Sequence, residues 1–256
     1  MNILVTGGNG YVAKSIVARL KSEHVVTSVS RQDFDLTNEK SLSDWLGKKY
    51  FDVVLHTAIV GGNRLIPDRL SVLDENLSMY FNLVNNKDHF GKLITFGSGS
   101  QYYLSDTPHG KSKAIINESV KNNFNFYDLR IFGVFDENEL PTRFIKANIT
   151  RYIKKEPMII HTNKIMDFIY MQDLISTVEY YINNADPIKD INCCYEEKYT
   201  LKTIANMINS LDSHKVPIVT ENENQLQMYC GESGLPPINI IGLRQGIQNT
   251  FRALST

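Results

Sequence analysis

Several classes of protein are set aside by what this chain lacks. Nowhere in its 256 residues is there an apolar run of about 18 residues, the length a membrane-crossing helix needs. No basic stretch leads into an apolar one near the start, as a secretory leader would. Neither sign of charge is in excess: 27 Lys and Arg stand against 28 Asp and Glu, a formal net charge of -1. That balance argues against general binding to nucleic acid or to a membrane surface. Cysteine is scarce, with only Cys193, Cys194 and Cys230. Their number is odd, two are adjacent, and none has metal-ligand spacing. They are expected as reduced thiols in a cytoplasmic protein without a metal site. There is no low-complexity segment and no internal repeat, and the length suits one or two domains with a sizeable core.

What is present starts at the first turn. The apolar run Ile3 to Val5 is short enough for a buried strand, and it ends in Thr6-Gly7-Gly8-Asn9-Gly10-Tyr11-Val12-Ala13. Beyond the glycines, Val12, Ile16, Val17 and Leu20 recur at helical intervals. A glycine-rich turn between a strand and a helix start lets backbone approach a phosphate, and the helix start offers unpaired N–H groups. This is the arrangement that holds a dinucleotide pyrophosphate, and Gly7, Gly10, Tyr11 and Val12 are its candidate residues.

The second strand, His24 to Arg31, ends where dinucleotide folds discriminate cofactors. Ser30-Arg31 stands there, with no carboxylate before Asp33, and a basic residue suits a 2′-phosphate. NADP is therefore expected rather than NAD; an ordinary exposed arginine is the alternative. Further on, Phe51 to Ala58 forms a strand ending in small residues, Ser71–Asn85 a helix containing Asn76, and Lys92 to Phe96 a strand ending in Gly97-Ser98-Gly99-Ser100. Thr37 or Asn38 can cap the intervening helix. His109 and Lys113 lie four residues apart, on one face of a helix. Phe126 to Phe132 is another strand, Arg143 to Lys155 another helix, and Arg143, Lys146 and Arg151 on that helix can face a diphosphate, with a solvated basic face as the alternative for Lys146 and Arg151. His24, His56, His89, His161 and His214 are expected as packing or surface residues.

Strand and helix alternate, so the expected fold is α/β: a Rossmann-type doubly wound parallel sheet with a small C-terminal α/β substrate domain. The expected division is residues 1–157 for the dinucleotide-binding domain, with 158–185 contributing to it, and 186–256 for the substrate domain. In the latter, Thr200 is a candidate cap of a helix through Leu211, and a last helix is expected over Gly242 to Arg252.

These residues resemble the extended short-chain dehydrogenase/reductases that act on nucleotide sugars. Thr6 to Ala13 is similar to that family's TGxxGxxG, with Ala13 for the last glycine. Arg31 with Asp35-Leu36, Ala58-Ile59-Val60, Glu75-Asn76-Leu77, Asp167-Phe168-Ile169-Tyr170-Met171-Gln172-Asp173 and Leu243-Arg244-Gln245-Gly246-Ile247 resemble further motifs of the family, most closely its GDP-fucose synthase branch. Pro108-His109-Gly110-Lys111-Ser112-Lys113 has the spacing of its P-Y-x-x-x-K. The resemblance implies hydride transfer at a nicotinamide. Arg31, Asp35, Leu36, Ala58, Ile59, Val60, Asn76 and Lys113 would contact the cofactor, and Arg143 a nucleotide-sugar substrate. It also implies a homodimer paired through the Ser71–Asn85 and Lys111–Val120 helices. Three catalytic positions depart from the pattern. His109 stands for the phenol, Gly99 (between Ser98 and Ser100) for the hydroxyl, and Arg143 for the epimerising acid. Two readings stay open. One is an NADP-dependent reductase/epimerase of a keto-deoxy sugar using His109, Lys113, Ser98 and Ser100, with Tyr102 or Tyr103 as other sources of a phenol. The other is an altered member that binds without turnover.

Overall fold

The computed structural model describes residues 1–63 and 66–255, the side chains of 223–226 excepted; Arg64 and Leu65, in the loop expected after Gly62, lie outside the described residues. The apolar runs form strands and the 3.6-residue patterns form helices, in strict alternation at first. β1 (Asn2–Thr6) leads to α1 (Tyr11–Leu20), then β2 (Val25–Val29), α2 (Glu39–Leu46) and β3 (Phe51–His56). Next come α3 (Ser71–Asn85), β4 (Phe90–Thr95), the one-turn α4 (Ser100–Tyr103), α5 (Pro108–Lys121) and β5 (Phe126–Ile131). Two caps fix where helices begin. Ser41 N–H donates to Asn38 Oδ1 at 3.0 Å, and Gly110 N–H to Thr107 Oγ1 at 3.1 Å, with Pro108 in the first turn of α5.

After β5 the pieces shorten: β6 (Val134–Phe135), α6 (Phe144–Ile153), β7 (Met158–Met166), β8 (Ile169–Tyr170) and α7 (Met171–Asn183). The chain closes with β9 (Asp190–Cys193), α8 (Leu201–Ile208), β10 (Ile218–Tyr229) and α9 (Leu243–Leu254). Thr200 caps α8 as expected, accepting from Thr203 N–H at 3.0 Å. β10 has no apolar period to announce it; it forms because its backbone pairs in parallel with β7.

The six-stranded sheet runs β2-β1-β3-β4-β5-β9, and the pairs from β2 to β5 are parallel. The order reverses beside β1: β2 lies on one side of it and β3 on the other. In a parallel sheet the crevice for a ligand opens outside the carboxyl ends of the strands at such a reversal.

Two compact units divide the chain. One holds residues 1–130 and 178–191, the other 131–177 and 192–256. The sequence reading placed the division at 157 and 186; the units change within β5, α7 and β9, because one continuous strand or helix can serve two cores. The first core collects Leu4, Leu42, Val54, Tyr80, Leu93 and Phe126. The second collects Phe135, Ile145, Tyr152, Ile160, Ile204 and Ile247, with β7 and β10 paired at its side.

His56 ends β3 in the first unit. It is buried, its Nδ1 lies 2.9 Å from Thr6 Oγ1, and Thr57 Oγ1 donates to Thr6 O at 2.6 Å, so β1 and β3 are tied at their carboxyl ends. Burial first, and then the Lys113 cation, push the His56 pKa down to about 3. An unfolded-chain imidazole titrates near 6.5, so it binds a proton that the folded one refuses. This contribution to stability is intact above about pH 6.5 and is lost as pH falls toward 3, at about 1.4 kcal/mol per pH unit. Urea unfolding followed from about pH 6.5 to 4 checks this: His56→Asn should flatten the pH dependence by about 1.4 kcal/mol per unit.

Candidate active site

The turn after β1 is shaped by close approach. Gly7 has φ +70°, and a Cβ there would lie 2.7 Å from the backbone N and Cα of Ala58. A Cβ on Gly8 would meet Ser28 Oγ at 2.1 Å, and Gly8 N–H donates to Val29 O at 2.8 Å. Backbone therefore sits directly on β2 and β3. α1 then begins at Tyr11 with no side chain capping its first turn, leaving that end suited to an anion.

At the end of β2, Asp33 is occupied locally: its Oδ2 accepts from Ser30 N–H at 2.8 Å and Ser30 Oγ at 3.2 Å. Arg31 is exposed. Asp35 accepts from Thr37 N–H at 2.9 Å, while Leu36 is buried in the first core beside Phe34. Ala58, Ile59 and Val60 follow β3, with Ile59 exposed. Asn76, only 1% exposed, holds that loop. Its Oδ1 accepts from Val60 N–H at 2.9 Å, and its Nδ2 donates to Val60 O at 3.0 Å and Ser112 Oγ at 3.1 Å. A bound dinucleotide would thus meet the loop that Asn76 holds more directly than the Asn76 amide itself.

The catalytic candidates meet at the carboxyl end of β4. Lys113 is buried and donates from Nζ to Phe96 O at 2.6 Å; burial pulls its pKa down to about 8, with the Asp128 carboxylate opposing. His109 is buried one turn earlier on α5. Its Nδ1 lies 3.0 Å from Ser100 Oγ, and Ser100 Oγ lies 2.9 Å from Ser98 Oγ. Burial, and then Lys113, lower the His109 pKa to about 4, with Asp68 acting the other way. Gly62 has φ +69°, and a Cβ there would fall 2.9 Å from His109 Nε2. Ser98, Ser100, His109 and Lys113 are therefore brought together. Tyr102 lies instead with its ring centroid 4.6 Å from the Arg130 guanidinium carbon.

Beneath these side chains is a polar network that sequence reasoning missed. Asp128 accepts from Thr95 Oγ1 at 2.6 Å and Asn117 Nδ2 at 3.0 Å; Arg130 donates to Asp190 Oδ2 at 2.8 Å. A signal existed: Asp128 and Arg130 are two apart in an otherwise apolar strand, hence on one face.

In the second unit Arg143 is the cap residue of α6 and half-buried, whereas Lys146 donates to Glu137 O and Glu139 O, both at 2.7 Å. The D-F-I-Y-M-Q-D stretch is used for anchoring. Asp167 accepts from Lys198 Nζ at 2.9 Å and Gly231 N–H at 2.8 Å. Asp173, within α7's first turn, accepts from Ile241 N–H at 2.7 Å and Gly242 N–H at 2.9 Å.

A parallel sheet, a glycine turn at its strand-order reversal and a buried lysine beside it define a dinucleotide-binding α/β protein. The model of the NAD dependent epimerase/dehydratase family matches residues 3–194, and the chain belongs to that family. Among curated relatives, it is 25% identical to the GDP-L-colitose synthase of Yersinia pseudotuberculosis over 89% of this chain and 87% of that one. It is 30% identical to the GDP-L-fucose synthase of Azorhizobium caulinodans over 39% of this chain and 34% of that one. The NADP-bound GDP-mannoheptose C4 reductase of Campylobacter jejuni shares the fold, with TM-score 0.78 at 18% identity over 100% and 98% of the two chains.

Gly7 tests the cradle. Gly7→Ala places a side chain at φ +70° against Ala58, so it should cost about 1–3 kcal/mol of stability. It should also weaken NADPH binding at least about tenfold. Thermal melts and a nucleotide fluorescence titration read the two effects separately.

Proposed function

We propose that the chain is an NADP-dependent reductase/epimerase acting on a nucleotide-linked keto-deoxy sugar, with His109 in the position of the family's catalytic tyrosine. The observation that carries this reading is the buried cluster of Lys113, His109, Ser100 and Ser98 at the carboxyl end of β4. The residues present fit the dinucleotide. Gly7, Gly8 and Gly10 give backbone room for a pyrophosphate beside the uncapped α1, and Tyr11 and Val12 begin that helix. With Asp33 held by Ser30, exposed Arg31 suits a 2′-phosphate, and Asp35, Ala58, Ile59 and Val60 would line the adenosine side, with Leu36 supporting them from the first core. The reduced dinucleotide supplies the hydride that turns a carbonyl into an alcohol. Lys113 holds positive charge by the nicotinamide ribose, and a buried cation there favours charge developing on the sugar oxygen. Arg143 takes the substrate diphosphate. Names of relatives that make GDP-linked sugars support the substrate class.

A second reading, binding without turnover, draws on Gly99 in the hydroxyl's position and on Gly62 beside His109 Nε2. A homodimer through α3 and α5 is part of the proposal, supported by the exposed Phe81 and Ile115 on those helices. A cytoplasmic setting is part of the proposal, and the burial of Cys193, Cys194 and Cys230 is consistent with it.

Absorbance at 340 nm with NADPH and a panel of 4-keto-6-deoxy nucleotide sugars separates the readings; NMR of the products identifies an epimerase that recycles its cofactor. His109→Phe should lower kcat about 100-fold or more while leaving a measurable residual rate, whereas tight NADPH binding with no product from any sugar favours the second reading. Arg31→Ala should raise the NADPH Kd by about 10-fold or more and leave NADH nearly unchanged. Sedimentation should give a dimer that Phe81→Glu dissociates; an unchanged monomer removes that part of the proposal.

A further inference from the structure

The buried cluster also orders its members. We propose that the group touching the sugar oxygen is the Ser98 hydroxyl, and that His109 exchanges its proton with that hydroxyl through Ser100. This rests on the reductase reading above and names the atom that acts within it.

Three observations lead there. First, His109 Nδ1 has a hydroxyl partner, 3.0 Å from Ser100 Oγ, whereas the Nε2 edge faces Gly62, where a Cβ would fall 2.9 Å away. Second, that partner leads toward solvent. His109 and Ser100 are buried, while Ser98, 2.9 Å beyond Ser100 Oγ, is partly exposed. Ser100 N–H also donates to Ser98 Oγ at 3.2 Å, which fixes that oxygen at the start of α4. Third, the backbone beneath the ring is held. Ser112 Oγ donates to His109 O at 2.8 Å, and Asn76 Nδ2 donates to Ser112 Oγ. An imidazole is shorter than a phenol, and two hydroxyls supply the missing reach. The serines on either side of Gly99 thereby replace a hydroxyl at 99.

The proton balance closes. In reduction the carbonyl carbon receives the hydride, and the C=O π pair moves to oxygen. That oxygen takes the Ser98 proton, Ser98 takes the Ser100 proton, and Ser100 takes the Nδ1 proton of the His109 imidazolium. The products are the alcohol, the oxidised dinucleotide and a neutral imidazole; oxidation runs the same path backward. The charged groups acting on His109 are Lys113 on its own helix and Asp68 from the β3–α3 loop. With its pKa lowered to about 4, the imidazolium is a strong acid that grows scarce as pH rises. Reduction should therefore lose kcat/KM by about tenfold per unit between about pH 5.5 and 7.5.

The test uses the full chain with NADPH. Ser98→Ala and Ser100→Ala should each lower kcat about 100-fold with NADPH affinity unchanged, and Ser100→Thr, which keeps a hydroxyl, should restore it. Ser100→Ala combined with His109→Phe should lose no more than His109→Phe alone, and both should flatten the pH profile. Independently of turnover, ring 15N NMR of His109 should place the titrating nitrogen at Nδ1, with a pKa that moves by about 0.5 unit or more in Ser100→Ala. Full activity in Ser100→Ala, losses that multiply in the double variant, or a His109 titration indifferent to Ser100 would overturn the relay. Should wild type reduce no keto sugar, the reductase reading fails by itself, and the 15N titration still decides whether Ser100 and His109 are coupled.

Discussion

Backbone can lie on backbone only where no side chain intervenes, and the carboxyl end of β1 depends on that. Gly7 reaches the Ala58 backbone and Gly8 bonds Val29 O, so the turn touches both neighbours of β1 at the point where the strand order reverses. The crevice, the free helix start of α1 and the path of the 58–62 loop all follow from this approach. Thr6, His56 and Thr57 tie the same strand ends from below, so the turn rests on a fixed floor.

Charge placed inside such a floor is costly unless it is partnered. The chain meets this cost differently in its two units. In the first, Lys113 leans on Phe96 O, and Asp128 and Asp190 accept from Thr95, Asn117 and Arg130. The lysine stays desolvated, and burial first, with the lysine cation second, keeps the neighbouring imidazole short of protons. In the second, Asp167 and Asp173 accept from backbone N–H groups and so fix the segments leading to Gly231 and into α9. The stretch that resembles a family motif is, in that unit, a pair of anchors.

Much of the fold was legible in the sequence because its signals are local. Ser71–Asn85 reads as a helix from its spacing and is one, and Asn38 and Thr200 are caps by residue type and prove so. The glycine turn declares itself because Gly7's φ of +70° and its approach to the Ala58 backbone together favour glycine. β10 was illegible because its strand character comes from β7, far away in sequence. The division of the chain was misjudged for a related reason: β5 and α7 each continue unbroken between two cores, and no change of composition marks the crossing.

The sequence by itself determined the alternation of strand and helix, the glycine turn after β1, and the presence of His109 and Lys113 one helical turn apart. These depend on neighbours within a few residues. Only the tertiary structure decided that Ser98 and Ser100 form one hydroxyl chain with His109, that Gly62 covers the other side of the ring, and that Asn76 and Leu36 support the site from within the protein. Those relations join β4, α5 and the β3–α3 loop, and distance between separate elements is a property no stretch of sequence carries alone.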